Sequence, residues 1–176
     1  MDLVKDAIAI AMDIDAAGLP FLKNMNPPAG SKSVAEMKEI IDHAPKPFII
    51  KGIMSVKGAL KAKEAGASGI VVSNHGGRVL DQCPSTAEVL KDICDAVGKD
   101  MIVLVDGGIR SGADVFKALA LGADGVIIAR PFVVSLYGDG VDTYIEKIGN
   151  ELVDTMEMCG AKTLADISYD MIQKRG

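Results

Sequence analysis

One unit occurs twice in this chain, and it constrains the fold more than any other feature. Residues 59–73 read ALKAKEAGASGIVVS, and residues 115–129 read VFKALALGADGVIIA. Each copy is a helix end, a glycine where the chain turns, and a short aliphatic run. A glycine-closed helix followed by a β-branched run is how a helix returns the chain to a parallel strand. Repetition of that unit favours an α/β barrel or an open parallel sheet over an irregular fold.

Three further strands fit between helical patterns. Residues 7–12 form an apolar run ending in Asp13-Ile14-Asp15, Pro47 to Gly52 forms a second, and Met101 to Val105 a fourth. Gly69 to Ser73 and Gly125 to Ala129, from the repeat, are the third and fifth. Ser33 with Glu36 makes a capping box before Val34, Met37, Ile40 and Ile41, which recur at helical spacing. Ser55 caps the next helix, residues 85–97 form another closed by Gly98, residues 113–123 follow, and a long pattern runs from Gly140 to Cys159. The expected fold is α/β: a partial TIM (β/α)8 barrel of about five parallel βα units plus a C-terminal helix, with residues 1–176 as one domain. A complete barrel takes roughly 250 residues, against 176 here. The alternative is a five-stranded flavodoxin-type sheet, which calls for a phosphate loop after the first strand. Here the polar, glycine-rich ends fall on the last three strands instead. Five strands leave two unpaired edges, so a homo-oligomer, or completion by another chain, is expected.

Composition narrows the partners. The net charge is −5, with no long basic run, and aromatic residues are 4% with no tryptophan. Neither a nucleic-acid footprint nor an anionic-membrane surface is readable. Asp2, Asp6, Asp13 and Asp15 break up the N-terminal apolar stretch, so it reads as neither signal peptide nor membrane span. Cys83, Cys94 and Cys159 are widely spaced without a CxxC pair, which fits a reducing cytoplasm and gives no metal-ligand pattern.

In parallel α/β domains the C-terminal strand ends build the active face. Those ends here carry Asp13 and Asp15, Lys51, Ser73-Asn74-His75 with Arg78 and Asp81, Asp106-Gly107-Gly108-Ile109-Arg110, and Ala129-Arg130. The Asp106 to Gly112 turn precedes a helix, so its amides, the helix N-terminus and Arg110 suit a phosphate, and Arg130 stands at the next strand end. Two tight turns bearing surface arginines are the competing reading. His43 sits at a helix end near Pro45 and reads as a surface residue. His75 follows a strand among small residues, where it either exchanges a proton or packs and caps, and Asp13 can orient it. Arg78 can grip a carboxylate while His75 acts on the adjacent carbon. Lys51 can place a fixed positive charge beside a cofactor ring, or form a Schiff base.

Taken together, Lys51-Gly52, SNHGGRVLD (residues 73–81), DGGIRSGADVFKALALGA (residues 106–123) and Arg130-Pro131 resemble the FMN-dependent 2-hydroxy acid oxidase and dehydrogenase family, the group of glycolate oxidase and lactate oxidase. The resemblance implies FMN as cofactor and oxidation of a small L-2-hydroxy acid to the 2-oxo acid. It implies His75 as base with Asp13 as its carboxylate, and Arg78 on the substrate carboxylate. Lys51 and Ser73 then lie at the flavin, and Asp106 to Arg110 with Ala129 and Arg130 hold ribityl and phosphate groups. It also implies that the chain corresponds to a C-terminal portion of the family's barrel, strands four to eight. Ala11 stands where the family has threonine, Ala129 where it has glycine, and Lys23 is the only basic residue in the loop where it places a second arginine. The residues do not name the electron acceptor. The loop from Gly18 to Ser31, with Pro20-Phe21-Leu22, is expected to shape the substrate pocket. The runners-up are a shortened, non-catalytic flavin- or phosphate-binding module that completes a partner, and another FMN barrel enzyme such as a flavin-type isopentenyl-diphosphate isomerase.

Overall fold

A computed structural model describes residues 4–16, 19, 22, 24–25 and 30–173. Pro20, Phe21 and Lys23 of the expected pocket loop lie outside the described residues. Five strands form one sheet in the order β1-β2-β3-β4-β5: β1 Ile10–Asp13, β2 Phe48–Ile53, β3 Gly69–Val72, β4 Ile102–Val105 and β5 Gly125–Val126. Every neighbouring pair is parallel. The helices are α1 Val34–Asp42, α2 Val56–Glu64, α3 Thr86–Val97, α4 Gly112–Ala120, α5 Arg130–Leu136 and α6 Val141–Cys159. Strictly sequential strand order is how a (β/α) barrel wall is laid down, and it excludes the flavodoxin-type sheet, whose order reverses at a switch point. The expected partial barrel is the observed architecture.

The core lies between the sheet and its covering helices. Ile50, Ile53, Ile70, Val72, Val103 and Val105 from the strands meet Ala59, Ala62, Leu90, Ile93, Val97 and Ala118 from the helices. The small alanines of α2 let that helix sit close to the strands, and Ile93, Val103 and Ala59 are fully buried. Caps fix where the helices start. Ser33 and Glu36 form the capping box read from the sequence, and the structure adds two more, Ser85 with Glu88 and Ser111 with Asp114. His43 is the exposed C-cap of α1, its Nδ1 2.8 Å from the Glu39 carbonyl.

Two strand boundaries differ from the sequence reading by three residues. β1 starts at Ile10, not residue 7, and β5 ends at Val126, not Ala129. The Ile127 amide still donates to Val105 O, but the chain then leaves the sheet because α5 begins at Arg130, with Pro131 in its first turn. Proline lacks the amide a strand needs and is preset for a helix start, so Arg130-Pro131 turns the end of β5 into a helix that the strand pattern does not announce.

At the far end, α6 packs on α4. A Cβ on Gly112 would overlap the Leu152 amide and the Glu151 backbone. Glycine is therefore what lets the two helices touch. No helix among the described residues is long and apolar enough to cross a membrane.

Candidate active site

The C-terminal strand ends converge on a cavity of about 800 Å³, lined by Lys51, His75, Arg78, Asp106 to Arg110, Ile127 to Pro131 and the start of α6. That volume lies within the range of cofactor pockets.

A bulge in β2 builds the first wall. The register shifts between Lys51 and Ile53, and Gly52 takes φ +101°. The Lys51 Nζ donates to Asp13 Oδ1 at 2.6 Å and lies 3.8 Å from Asp106 Oδ2. Gly52 also makes room for Asp15: a Cβ there would stand 2.6 Å from the Asp15 Cγ.

The second wall follows β3. Ser73 is fully buried, and its Oγ accepts from the His75 amide at 3.1 Å. His75 itself has φ +55°, a left-handed conformation rare outside glycine and tolerated where surroundings enforce it. Asn74 holds the loop by accepting from the Gly77 amide and donating to the Pro84 carbonyl. The His75 Nδ1 is 3.2 Å from Asp15 Oδ1 and 3.9 Å from Asp13 Oδ1. The hydrogen bond thus goes to Asp15, while Asp13, named from the sequence, is chiefly the partner of Lys51. Asp13, Asp15 and His75 offer ligand atoms within 4.8 Å of one another, but the Lys51 ammonium already supplies positive charge at that point.

The third wall is the turn after β4. Thr86, buried at the start of α3, donates to the Asp106 carbonyl at 2.7 Å. Gly107 and Gly108 have φ +86° and +79°, and a Cβ on Gly108 would touch nothing, so a ligand can approach this backbone. Ile109 packs against the core beneath. The amides beyond are occupied: Asp114 Oδ2 accepts from Arg110 N and Ser111 N, and Glu151 Oε2 from Gly112 N. The N-terminus of α4, expected to help hold a phosphate, is therefore capped by the protein's own carboxylates. The groups at this end that could hold an anion are instead the glycine turn and the arginines.

Arg78, Arg110 and Arg130 line the cavity, and none forms an ion pair with a carboxylate among the described residues. Arg130 reaches back so far that a Cβ on Gly76 would lie 2.7 Å from its Nη2, which brings the β5 end against the His75 loop. Ala129 is the exposed residue preceding α5. From α6, Tyr144 donates to the Arg110 carbonyl at 3.2 Å and packs edge-on against Phe132 at 5.2 Å. Burial, then the charges of Glu151 and Asp114, push its phenol pKa up.

Thus the structure brings Lys51, His75, Arg78, Asp106 to Arg110, Ala129 and Arg130 to one cavity; Ser73 and Asp13 do not line it but hydrogen-bond to the His75 amide and to Lys51. Sequence reasoning placed Asp15 beside Asp13 at the β1 end but assigned the histidine's carboxylate to Asp13, named Gly52 only as part of a motif, and gave no role to Thr86 or Tyr144.

Comparisons with known proteins show the family to which the fold belongs. The family described as FMN-dependent dehydrogenase matches residues 13–174. A peroxisomal (S)-2-hydroxyacid oxidase of Arabidopsis thaliana is 47% identical over 130 residues, covering 72% of this chain and 36% of that protein. An L-lactate oxidase of a Roseobacter strain is 44% identical over 140 residues, covering 78% of this chain and 38% of that protein. A solved mandelate oxidase superposes with a TM-score of 0.84 at 34% identity, covering 96% of this chain and 58% of that one. Another mandelate oxidase structure, of a variant carrying a monooxide FMN adduct, superposes at 0.81. The chain spans somewhat over a third of the length of these curated relatives. One expectation is corrected. The sequence reading confined the likeness to a C-terminal portion of the family's barrel, strands four to eight. The likeness instead takes in the whole chain, whose strands share one sheet and core and superpose together on the solved structures, and that designation is withdrawn. From β1 to the segment after α6, this chain belongs to the FMN-dependent dehydrogenase family.

Proposed function

We propose that this chain carries an FMN-dependent site for oxidising a small L-2-hydroxy acid of the lactate or glycolate type to the 2-oxo acid. The observation that carries the reading is the juxtaposition of a carboxylate-bonded His75 with a cavity whose arginines lack carboxylate partners among the described residues.

The donor set fits FMN. Asp106 Oδ1 is buried without a hydrogen-bond partner among the described residues, and an unpaired buried acceptor is costly, so it suits the hydroxyl donors of a ribityl chain. The open backbone at Gly108, with Arg110 and Arg130, suits a phosphate. Lys51, held between Asp13 and Asp106, presents a fixed positive charge at the opposite end, where a ring gaining electrons is stabilised. Bound FMN would supply the acceptor for the α-hydrogen and its two electrons, which leave the substrate's α-carbon together as a hydride.

The protein's own residues do the rest. Arg78 binds the substrate carboxylate, which fixes the α-carbon relative to His75. With Nδ1 committed to a carboxylate, Nε2 of His75 takes the hydroxyl proton as the carbon–oxygen double bond forms. The imidazolium so produced lies beside Asp13 and Asp15, whose charges stabilise it.

The test compares His75→Gln with the parent protein, both reconstituted with FMN. Equal flavin retention, with substrate-driven flavin reduction slowed about 100-fold or more in the variant, is expected for loss of a general base. Equal reduction in both refutes the role. Flavin retained by both but reduced in neither by any 2-hydroxy acid identifies a binding module or a different FMN enzyme.

A further inference from the structure

Asp15 is the residue that orients His75; we infer this from three independent features of the β1 and β2 ends, building on the function proposed above. First, geometry separates the two carboxylates. Asp15 Oδ1 lies at 3.2 Å from the His75 Nδ1, hydrogen-bond distance, and Asp13 Oδ1 at 3.9 Å. Second, Asp13 is engaged elsewhere: it accepts from the Lys51 ammonium at 2.6 Å, a strong charge-assisted bond, and its side chain is three times as exposed as that of Asp15, 43% against 14%. Third, the fold is shaped around Asp15. Gly52 sits at φ +101° with no side chain, and an added Cβ would meet the Asp15 Cγ, Cβ and Oδ1 at 2.6, 2.7 and 2.8 Å. The bulged backbone of β2 is therefore a wall against which Asp15 is pressed toward His75.

The remaining oxygen of Asp15, Oδ2, is buried with no hydrogen-bond partner among the described residues. Among the described residues, the hydrogen bond that this carboxylate's side chain makes is therefore the one to the His75 ring. Asp13 and Lys51 form a second, charge-balanced pair beside it. Asp15 is thus a positioning residue: it holds the Nδ1–H tautomer and leaves the Nε2 lone pair facing the cavity, while Asp13 serves Lys51.

The test needs neither FMN nor substrate. The sequence has only His43 and His75, so ¹⁵N-histidine NMR of the full chain at about pH 9, where an ordinary imidazole is neutral, reads each ring's tautomer, with His43 as the folding control. The parent protein is expected to show His75 as Nδ1–H, and Asp13→Asn to leave it so. Asp15→Asn, whose amide donates as readily as it accepts, shifts the ring toward Nε2–H. In the FMN-loaded chain Asp15→Asn lowers kcat about 100-fold or more with KM little changed. A parent ring already in the Nε2–H form, or a shift produced by Asp13→Asn and not by Asp15→Asn, overturns the inference. If Asp15→Asn does not fold, the parent and Asp13→Asn spectra still decide. A tautomer that behaves as stated in a protein whose flavin no hydroxy acid reduces refutes the proposed function and leaves the role of Asp15 standing.

Discussion

Gly52→Ala perturbs the fold and the site at one point, and the structure allows its cost to be separated into two parts. At φ +101° an alanine pays backbone strain of about 1–3 kcal/mol. Its Cβ also falls 2.7 Å from the Asp15 Cβ. Side-chain rotation cannot move that atom, because it is fixed to the backbone of the β1 end. Overpacking of this kind adds about 1–3 kcal/mol. Gly77→Ala supplies the control: φ is +74°, and a Cβ there meets nothing within 4 Å, so only strain applies. The difference between the variants carries the contact with Asp15, together with the greater strain of φ +101° over +74°, at about 2 kcal/mol or more, or at least about 4–8 °C in Tm for a chain of this size. Thermal melts followed by circular dichroism measure it. Equal melting temperatures for the two variants, or a less stable Gly77→Ala, refute the claim that Asp15 is pressed against the β2 bulge.

Arg130→Ala removes one charged partner of the phosphate site, so FMN affinity measured by flavin fluorescence is expected to fall about 10- to 100-fold. Riboflavin, which has no phosphate, should bind the variant and the parent equally, and equal losses for both ligands refute the phosphate assignment. Gly112→Ala forces α6 away from α4, since the new Cβ overlaps the Leu152 amide; a loss of about 1–3 kcal/mol in urea unfolding is expected, and an unchanged midpoint contradicts the packing. Burial, followed by the charges of Asp124 and Asp95, pushes the Cys94 thiol up from 9.0 to about 12. In the folded protein at about pH 8 it should resist thiol reagents that modify exposed Cys159, and rapid labelling of Cys94 contradicts that. Because this shift is upward, the stability it contributes is complete below pH 9.0 and lost as pH rises toward about 12.

Much of this architecture was legible because local and global signals agree. The capping box at Ser33 and the helix start at Ser85 are local chemistry, and each begins a helix where the sequence places it. The repeated βα unit gives the parallel sheet, and strand ends locate the cavity residues without knowledge of packing. What was hidden depends on contacts between distant segments. The N-terminus of α4 looks like an anion site until Glu151, thirty-nine positions along the chain, is folded onto it. Tyr144 reaches Arg110 only because Gly112 lets α6 approach α4. Asp13 and Asp15 are equivalent as strand-end carboxylates in the sequence; the Gly52 bulge and Lys51 tell them apart. The helix at Arg130 was missed because a β-branched run continued past the point where Pro131 redirects the backbone.

The most direct measurement is the visible spectrum of the FMN-reconstituted, gel-filtered chain, recorded anaerobically before and after L-lactate, then glycolate. Flavin is expected to travel with the protein, and its visible absorption to bleach with one of these acids. A protein that retains flavin through Arg110 and Arg130, yet stays oxidised with every 2-hydroxy acid offered, contradicts the oxidase reading; one that retains no flavin contradicts the site itself.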